Sequence, residues 1–450
     1  MTTASHRPRR VLIGALTTVA VLAAAGPAGA AGFSHDGDAL VYTAAPGATN
    51  WVHVEGARDP GTLLISDSGD RLEPGAGCVR PDPEDETLVA CPVPARLRLV
   101  LGDGNDRNTL RETLPAIPIE VQGGAGDDAL AANEDVDNHV LLDGGEGNDA
   151  LDGFRFADVL LGGPGNDRLD GRGGDDVLRG GEGDDQLHPD TNVGVVGNDV
   201  VDGGPGYDSA LDWHANTTDP AFAISITLDG VANDGRPGEA DDVISIERFD
   251  CCSPPGTYVL GESDDAIDLP GYGTSRVEGR GGNDTLTGND GTETIDGGAG
   301  DDRIEGGYGH DTLTGGPGRD TIYGDETSQR CSYLSNCTVV PFGNDTIYAR
   351  DGERDVIDCG VGSDRAIVDP IDVVANCEQV ERAAAPAARC RPGRVAGLTL
   401  RAARSRAAKG GCRVTVARAR VRSRKIARGR VVKATVKGRT ATLVLSRGRR

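Results

Sequence analysis

GGPGNDRLDGRGGDDVLRGGEGDDQLH, from Gly162 to His188, is three nine-residue units laid end to end. Each carries glycines in its first half, an aspartate sixth and a leucine eighth. Every glycine adds backbone entropy that folding must overcome, so glycine at this density has to serve conformation. The unit recurs on both sides. GGEGNDALD begins at Gly144 and GFRFADVLL at Gly153, so Asp149, Asp158, Asp167, Asp176 and Asp185 stand nine apart. After a break at PDTNV, GVVGNDVVD from Gly194 and GGPGYDSAL from Gly203 supply Asp199 and Asp208.

A second array keeps the phase. GRGGNDTLT, GNDGTETID, GGAGDDRIE, GGYGHDTLT and GGPGRDTIY start at Gly279, Gly288, Gly297, Gly306 and Gly315. Their sixth positions are Asp284, Glu293, Asp302, Asp311 and Asp320. A cysteine-bearing insert follows, and FGNDTIY then brings Asp345, with Asp355 and Asp364 beyond it. Weaker units precede the first array: GDGND at Gly102 and GGAGDDALA from Gly123.

Nine residues are no helical period, and glycines at positions one, two and four would break a helix. The last three residues set one aliphatic between polar neighbours, which suits a very short strand with one side chain inward. The glycines supply positive-φ turns. Turn and strand in alternation wind a flat coil, with Leu151, Leu160, Leu169, Leu178 and Leu187 as rungs of narrow inner stacks. Layers of this kind touch only their neighbours. The expectation is an all-β parallel β-roll or β-helix solenoid of nine-residue repeats.

If two units complete a coil, turns eighteen residues apart stack. Asp149, Asp167 and Asp185 then line one edge, and Asp158 and Asp176 the other. Adjacent coils lie ~4.8 Å apart, where two bare charges repel by roughly 1 kcal/mol in water and by more where solvent is scarce. A cation relieves that repulsion. Calcium takes six to eight oxygens from carboxylates and carbonyls, whereas magnesium demands a tighter octahedron. Zinc prefers the nitrogen and sulfur ligands that these arrays lack. Calcium is the expected ion.

The units match G-G-x-G-x-D-x-U-x, and the chain resembles secreted bacterial proteins with RTX (hemolysin-type) calcium-binding nonapeptide repeats. The resemblance implies a β-roll with calcium between same-side turns, held by sixth-position aspartates and turn carbonyls. Carried over, the metal ligands are Asp149, Asp158, Asp167, Asp176, Asp185, Asp199, Asp208, Asp284, Asp302, Asp311, Asp320 and Asp345. Several units depart from the pattern, and those from Gly194, Gly203 and Phe342 sit at breaks. GFRFADVLL lacks glycine at positions two and four, and Glu293 replaces an aspartate.

Charge divides the chain of 450 residues. Residues 1–381 carry 24 arginines against all 71 acids, a balance of −47, while residues 382–450 carry 22 basic residues and no acid. The acidic body suits cations, and the basic tail suits anionic polymers such as those of a cell wall. Nucleic acid is not an expected partner, because the tail lacks aromatic residues for stacking bases.

Residues 1–30 read as an export signal: Arg7, Arg9 and Arg10 precede VLIGALTTVAVLAAA and then AGA. That run is too short to read as a membrane span, so the mature protein is expected to be extracellular, secreted or held at the cell surface. The ten cysteines fit an oxidising compartment. Nearest-neighbour pairing gives Cys78–Cys91, Cys331–Cys337, Cys359–Cys377 and Cys390–Cys412, with Cys251 and Cys252 left adjacent.

The expected organisation is an N-terminal β-rich coil or cap over 31–122, a first array over 123–211 and an irregular β interlude over 212–260. A second array with its insert spans 261–381, and a small basic β-rich segment occupies 382–450. The chain holds neither an H-E-x-x-H zinc-protease motif nor a G-x-S-x-G elbow. It therefore reads as a calcium-binding structural protein that folds on binding its ions, and not as an enzyme. A solenoid enzyme acting on acidic polysaccharide and an adhesin anchored by the basic tail are the alternatives.

Overall fold

The computed structural model describes residues 30–59, 61–111, 114–132, 139–189, 197–210, 224–236, 239–249, 256–269, 273–325, 343–382, 399–403, 413–416, 431–437 and 440–445. Almost the whole export segment lies outside them, as do Cys251, Cys252, Cys331, Cys337, Cys390 and Cys412. The chain divides into two compact units, Met1–Arg168 and Leu169–Arg450.

In the first unit the parallel sheets begin before the repeats do. The strands Arg96–Asp103, Ile119–Ala125, Val140–Glu146 and Val159–Pro164 lie side by side, with Leu97 opposite Ile119, Ile119 opposite Val140, and Leu141 opposite Val159. Successive coils thus advance by 22, 21 and then 18 residues, and the eighteen-residue step arrives with the first regular nonapeptides.

Antiparallel strands finish the start of each sheet. Ala31–Asp36 pairs with Ala39–Thr43, while Thr62–Asp67 lies between Trp51–Gly56 and Leu88–Pro92. Strand edges left open invite pairing with other chains, and here antiparallel strands cover the first parallel strand of each sheet. The Cys78–Cys91 disulfide sits in this region. So do large core side chains, among them Tyr42, Leu63, Ile65 and Leu99, each fully buried.

Within the second array, in the second unit, the eighteen-residue step is regular. Thr285 lies opposite Arg303 and Arg303 opposite Thr321, while in the facing sheet Thr294 lies opposite Thr312. The cysteine-bearing insert lengthens one coil, because Thr312 next pairs with Thr346 and Thr321 with Val356. Each strand buries one aliphatic: Leu286, Ile295, Ile304, Leu313, Ile322 and Ile347 are all fully buried. In the interlude the aromatic pair Phe249 and Tyr258, with centroids 6.1 Å apart, fills the interior.

The Cys359–Cys377 disulfide closes the last coils. Farther on, Thr440–Leu445 runs parallel to Arg413–Val416 and antiparallel to Val431–Lys437 in a three-stranded sheet.

Two constraints explain the glycines. Gly145 and Gly147, second and fourth in their unit, hold φ at +108° and +138°, where a β-carbon is strained. A β-carbon on Gly145 would also stand 2.0 Å from the Gly124 carbonyl oxygen of the preceding coil. The second position keeps its left-handed turn even without glycine: Phe154, Arg172 and Arg280 sit there at φ +77°, +68° and +68°.

Candidate cation sites beneath the turns

The sixth-position aspartates turn inward beneath the glycine turns. All twelve candidate ligands named from the sequence are buried: Asp149, Asp158, Asp167, Asp176, Asp185, Asp199, Asp208, Asp284, Asp302, Asp311, Asp320 and Asp345. Burying a carboxylate is costly unless its lone pairs find donors or a counter-charge, so the partners of each oxygen decide what the site can hold.

Oδ1 is spoken for. In the first unit the backbone N–H of Asp128 donates to Asp149 Oδ1 at 2.8 Å, and that of Asp149 to Asp167 Oδ1 at 2.7 Å. In the second unit the run from Asp265 through Asp284, Asp302 and Asp320 to Asp355 repeats this bond at 2.9–3.1 Å. Asp311, Asp345 and Asp364 form a parallel run, which Glu293 enters through its own N–H. Asp176 donates to Asp199, and Asp185 to Asp208, each at 2.8 Å. Asp158 accepts instead from Val140, whose N–H lies 2.8 Å away. Each of these acceptor carboxylates therefore ties its coil to the one before.

Oδ2 has a different environment. Among the described residues, Asp128, Asp149, Asp208, Asp284, Asp302, Asp311, Asp320 and Asp345 have no donor for it. It presses against the first glycine of its own unit. A β-carbon on Gly279 would stand 2.3 Å from Asp284 Oδ2 and 2.2 Å from the Gly297 carbonyl oxygen of the next coil. At Gly297 the corresponding distances are 2.4 Å to Asp302 Oδ2 and 2.8 Å to the Gly315 carbonyl oxygen. Gly123, Gly306 and Gly324 form the same cradle with Asp128, Asp311 and Asp345. First-position glycine is thus required by space, because the carboxylate occupies the place of its side chain.

An anionic oxygen beside a carbonyl oxygen, with no donor between them, needs a proton or a cation. Burial pushes the carboxyls of Asp128, Asp284 and Asp320 up to about 7, with neighbouring aspartates adding to the rise. Asp302 is pushed up to about 6 and Asp345 to about 8, chiefly by the same desolvation. Glu293, buried against Asp311, is raised as well.

The donor set is all oxygen, part carboxylate and part carbonyl, and this fits calcium. Among the described residues no three His, Cys, Asp or Glu side chains gather in a conventional metal cluster. A cradle of one carboxylate and turn carbonyls per coil does not need one.

Several ladder members stand outside the twelve aspartates named from the sequence. Asp106 and Asp128 occupy sixth positions in the weaker early units, and register alone could have found them. Asp355 and Asp364 stand nine apart in the stretch after the insert and join the same ladders. Asp241, Glu247, Asp372 and Glu378 accept the same kind of N–H bond with no repeat around them. Asp265 differs, since Gly261 N–H and Ser263 Oγ occupy its two oxygens at 2.8 and 2.9 Å.

A second ladder runs outside the first, on the fifth position. Asn283 N–H donates to Asp264 Oδ1 at 2.6 Å, Asp301 N–H to Asn283 Oδ1 at 2.8 Å, and Arg319 N–H to Asp301 Oδ1 at 2.9 Å. Its direction is reversed. At position five the later coil donates to the earlier side chain, and at position six the earlier coil donates to the later one.

The family model of the RTX calcium-binding nonapeptide repeat matches the chain in four copies, at residues 152–187, 194–210, 271–304 and 296–326. No curated protein matches the chain.

Proposed function

We propose that the chain is a calcium-binding structural protein whose coils close as the ions bind. The observation that carries this reading is a buried carboxylate oxygen with no donor, set beside a turn carbonyl at the first-position glycines and repeated in register at Gly279, Gly297, Gly306 and Gly324. Calcium bound there would supply the positive charge that the buried carboxylates lack. Because the cradle exists only when two coils are stacked, ions that bind it stabilise the coiled state by linkage. Asp284, Asp302, Asp311, Asp320 and Asp345 would hold the ions in the second unit, and Asp149, Asp158 and Asp167 in the first. Asp176, Asp185, Asp199 and Asp208 complete the set.

The proposed setting is extracellular. The basic, then apolar, then small-residue start of the chain supports export. The disulfides Cys78–Cys91 and Cys359–Cys377 support an oxidising compartment. No helix among the described residues is long and apolar enough to cross a membrane. The basic tail after Glu381 would serve as the contact to anionic polymers.

Circular dichroism of the full chain in EDTA and then in calcium tests the central claim. Calcium should raise the strand signal, and EDTA should reverse the gain. An identical spectrum in both conditions overturns it.

A further inference from the structure

The stretch between the two arrays has no nine-residue register, yet part of it forms the coil that follows Asp208. Arg248–Phe249 pairs in parallel with Ser209–Ala210, with Arg248 opposite Ser209. Just ahead of that strand the chain passes through Ser245 and Glu247. Ser245 holds φ at +55°, a left-handed turn taken by a residue other than glycine.

These two residues repeat two contacts of the regular stack, a carbonyl beside the preceding first-position glycine and an acid that accepts the preceding aspartate's N–H. Within the first array, a β-carbon on Gly180 would stand 2.1 Å from Asp185 Oδ2 and 2.6 Å from the Gly203 carbonyl oxygen. One coil later, a β-carbon on Gly203 would stand 2.5 Å from Asp208 Oδ2 and 2.1 Å from the Ser245 carbonyl oxygen. The ladder is continued too. Asp185 N–H donates to Asp208 Oδ1 at 2.8 Å, and Asp208 N–H to Glu247 Oε2 at 2.9 Å. The Ser245 carbonyl thus stands where a first-position glycine carbonyl stands in a regular stack, and Glu247 accepts as a sixth-position aspartate does. Asp208 is completely buried, and its Oδ2 has no donor among the described residues.

We propose that Asp208, the Ser245 carbonyl and Glu247 form a calcium site in which the interlude supplies the half that the last unit of the first array lacks. The inference rests on the reading that such cradles take calcium. It assigns the interlude a binding role that its sequence register does not show. Glutamate is one methylene longer than aspartate, and the irregular backbone around Ser245 gives that longer arm its place. Burial, with Glu247 adding to it, raises the Asp208 carboxyl, as expected where two acids share one counter-ion site.

The test counts calcium on the full chain by equilibrium dialysis, comparing the unaltered protein with Glu247→Gln and Asp302→Asn. Glu247→Gln should bind one calcium fewer. Asp302→Asn, which alters a regular repeat, serves as the control. Full calcium on Glu247→Gln beside a loss on Asp302→Asn overturns this inference and leaves the general reading standing. No uptake by the unaltered protein removes both.

Terbium luminescence excited through tyrosine gives a local readout, since Tyr207 adjoins Asp208 in the chain. Tyr207→Phe should lower the sensitised emission in the unaltered background and have no effect in Glu247→Gln. An equal drop in both backgrounds overturns the assignment. Glu247→Asp keeps the charge and should retain the calcium count at weaker affinity. If it loses the ion while its strand signal in calcium stays unaltered, the site needs the longer arm and the assignment stands. If Glu247→Asp and Glu247→Gln both keep the full count, it falls.

Discussion

Asp284 and Asp302 are joined one coil apart by a 2.9 Å bond from the Asp284 N–H to Asp302 Oδ1. The other oxygen of Asp302 lies against Gly297 and the Gly315 carbonyl without a donor. One carboxylate thus performs two separable tasks. Oδ1 fixes the stacking of coils, and Oδ2 demands a counter-charge.

Substitutions can separate those tasks. Asp302→Asn keeps an acceptor for the Asp284 N–H and puts an NH₂ donor where Oδ2 faced a carbonyl. In EDTA this variant should be at least as stable as the unaltered chain, because the uncompensated oxygen is gone. In calcium it should fall behind, having lost the stabilisation that an ion bound only to the folded state provides. Asp302→Ala removes both roles and leaves the buried Asp284 N–H without an acceptor, a loss of about 1–3 kcal/mol even in EDTA. Urea unfolding of both variants, with and without calcium, checks the pattern. Equal losses for Asn and Ala in EDTA would contradict it.

The fifth-position ladder should behave in the opposite way. Asn283→Ala removes the acceptor of the Asp301 N–H and the side-chain donor to Asp264 Oδ1, at 2.8 and 3.1 Å. Both bonds are exposed, so each contributes about 0.5–1.5 kcal/mol at most. The variant should lose that stability in EDTA and in calcium alike, with an unaltered calcium count by dialysis. A lower count would make position five part of the ion site.

These two ladders also show where the sequence could be read and where it could not. The nine-residue phase implies the eighteen-residue register, and Thr285, Arg303 and Thr321 realise it. The inward rungs followed from one aliphatic per strand, as Leu286 and Ile304 illustrate. Position five is written as a free position in the repeat, so its asparagine and aspartate acceptors carried no signal until stacking brought Asn283 beside Asp264 and Asp301. Asp241 and Glu247 were illegible for another reason. They join the ladder through long excursions of the chain, with Asp199 reaching 42 residues ahead to Asp241. Position in a sequence marks a ligand only where the spacing is regular.

The stacked glycine turns make a sharper demand on stability. Gly145→Ala would put a β-carbon 2.0 Å from the Gly124 carbonyl oxygen at φ +108°. The neighbouring coil has to shift, and the turn enters a strained region that costs about 1–3 kcal/mol before the clash is counted. Gly32 is the control, since a β-carbon there meets nothing within 4 Å. Gly32→Ala should lie within about 0.5 kcal/mol of the unaltered chain. Thermal unfolding in calcium compares the two. A Gly145→Ala variant as stable as Gly32→Ala would mean that the turns do not stack as described.

Acidity should act on the calcium-free chain in a direction opposite to that of most proteins. The cradle carboxyls have folded values raised above the unfolded value of 3.8, to about 6 for Asp302, about 7 for Asp284 and Asp320, and about 8 for Asp345. A group raised on folding binds its proton more tightly in the folded state, so stability falls as pH rises between the two values. Below about pH 4 the contribution of these groups is complete, and it is lost progressively as pH climbs through 6 to 8. In EDTA the melting temperature should therefore be higher at pH 5 than at pH 8. Calcium competes with protons for the same oxygens, so its stabilising increment should be largest at pH 8 and shrink toward pH 5. Calorimetric scans at both pH values, with EDTA and with calcium, measure the four melting temperatures. A melting temperature in EDTA that rises from pH 5 to pH 8 would show that the buried carboxylates are neutralised by something other than protons when calcium is absent.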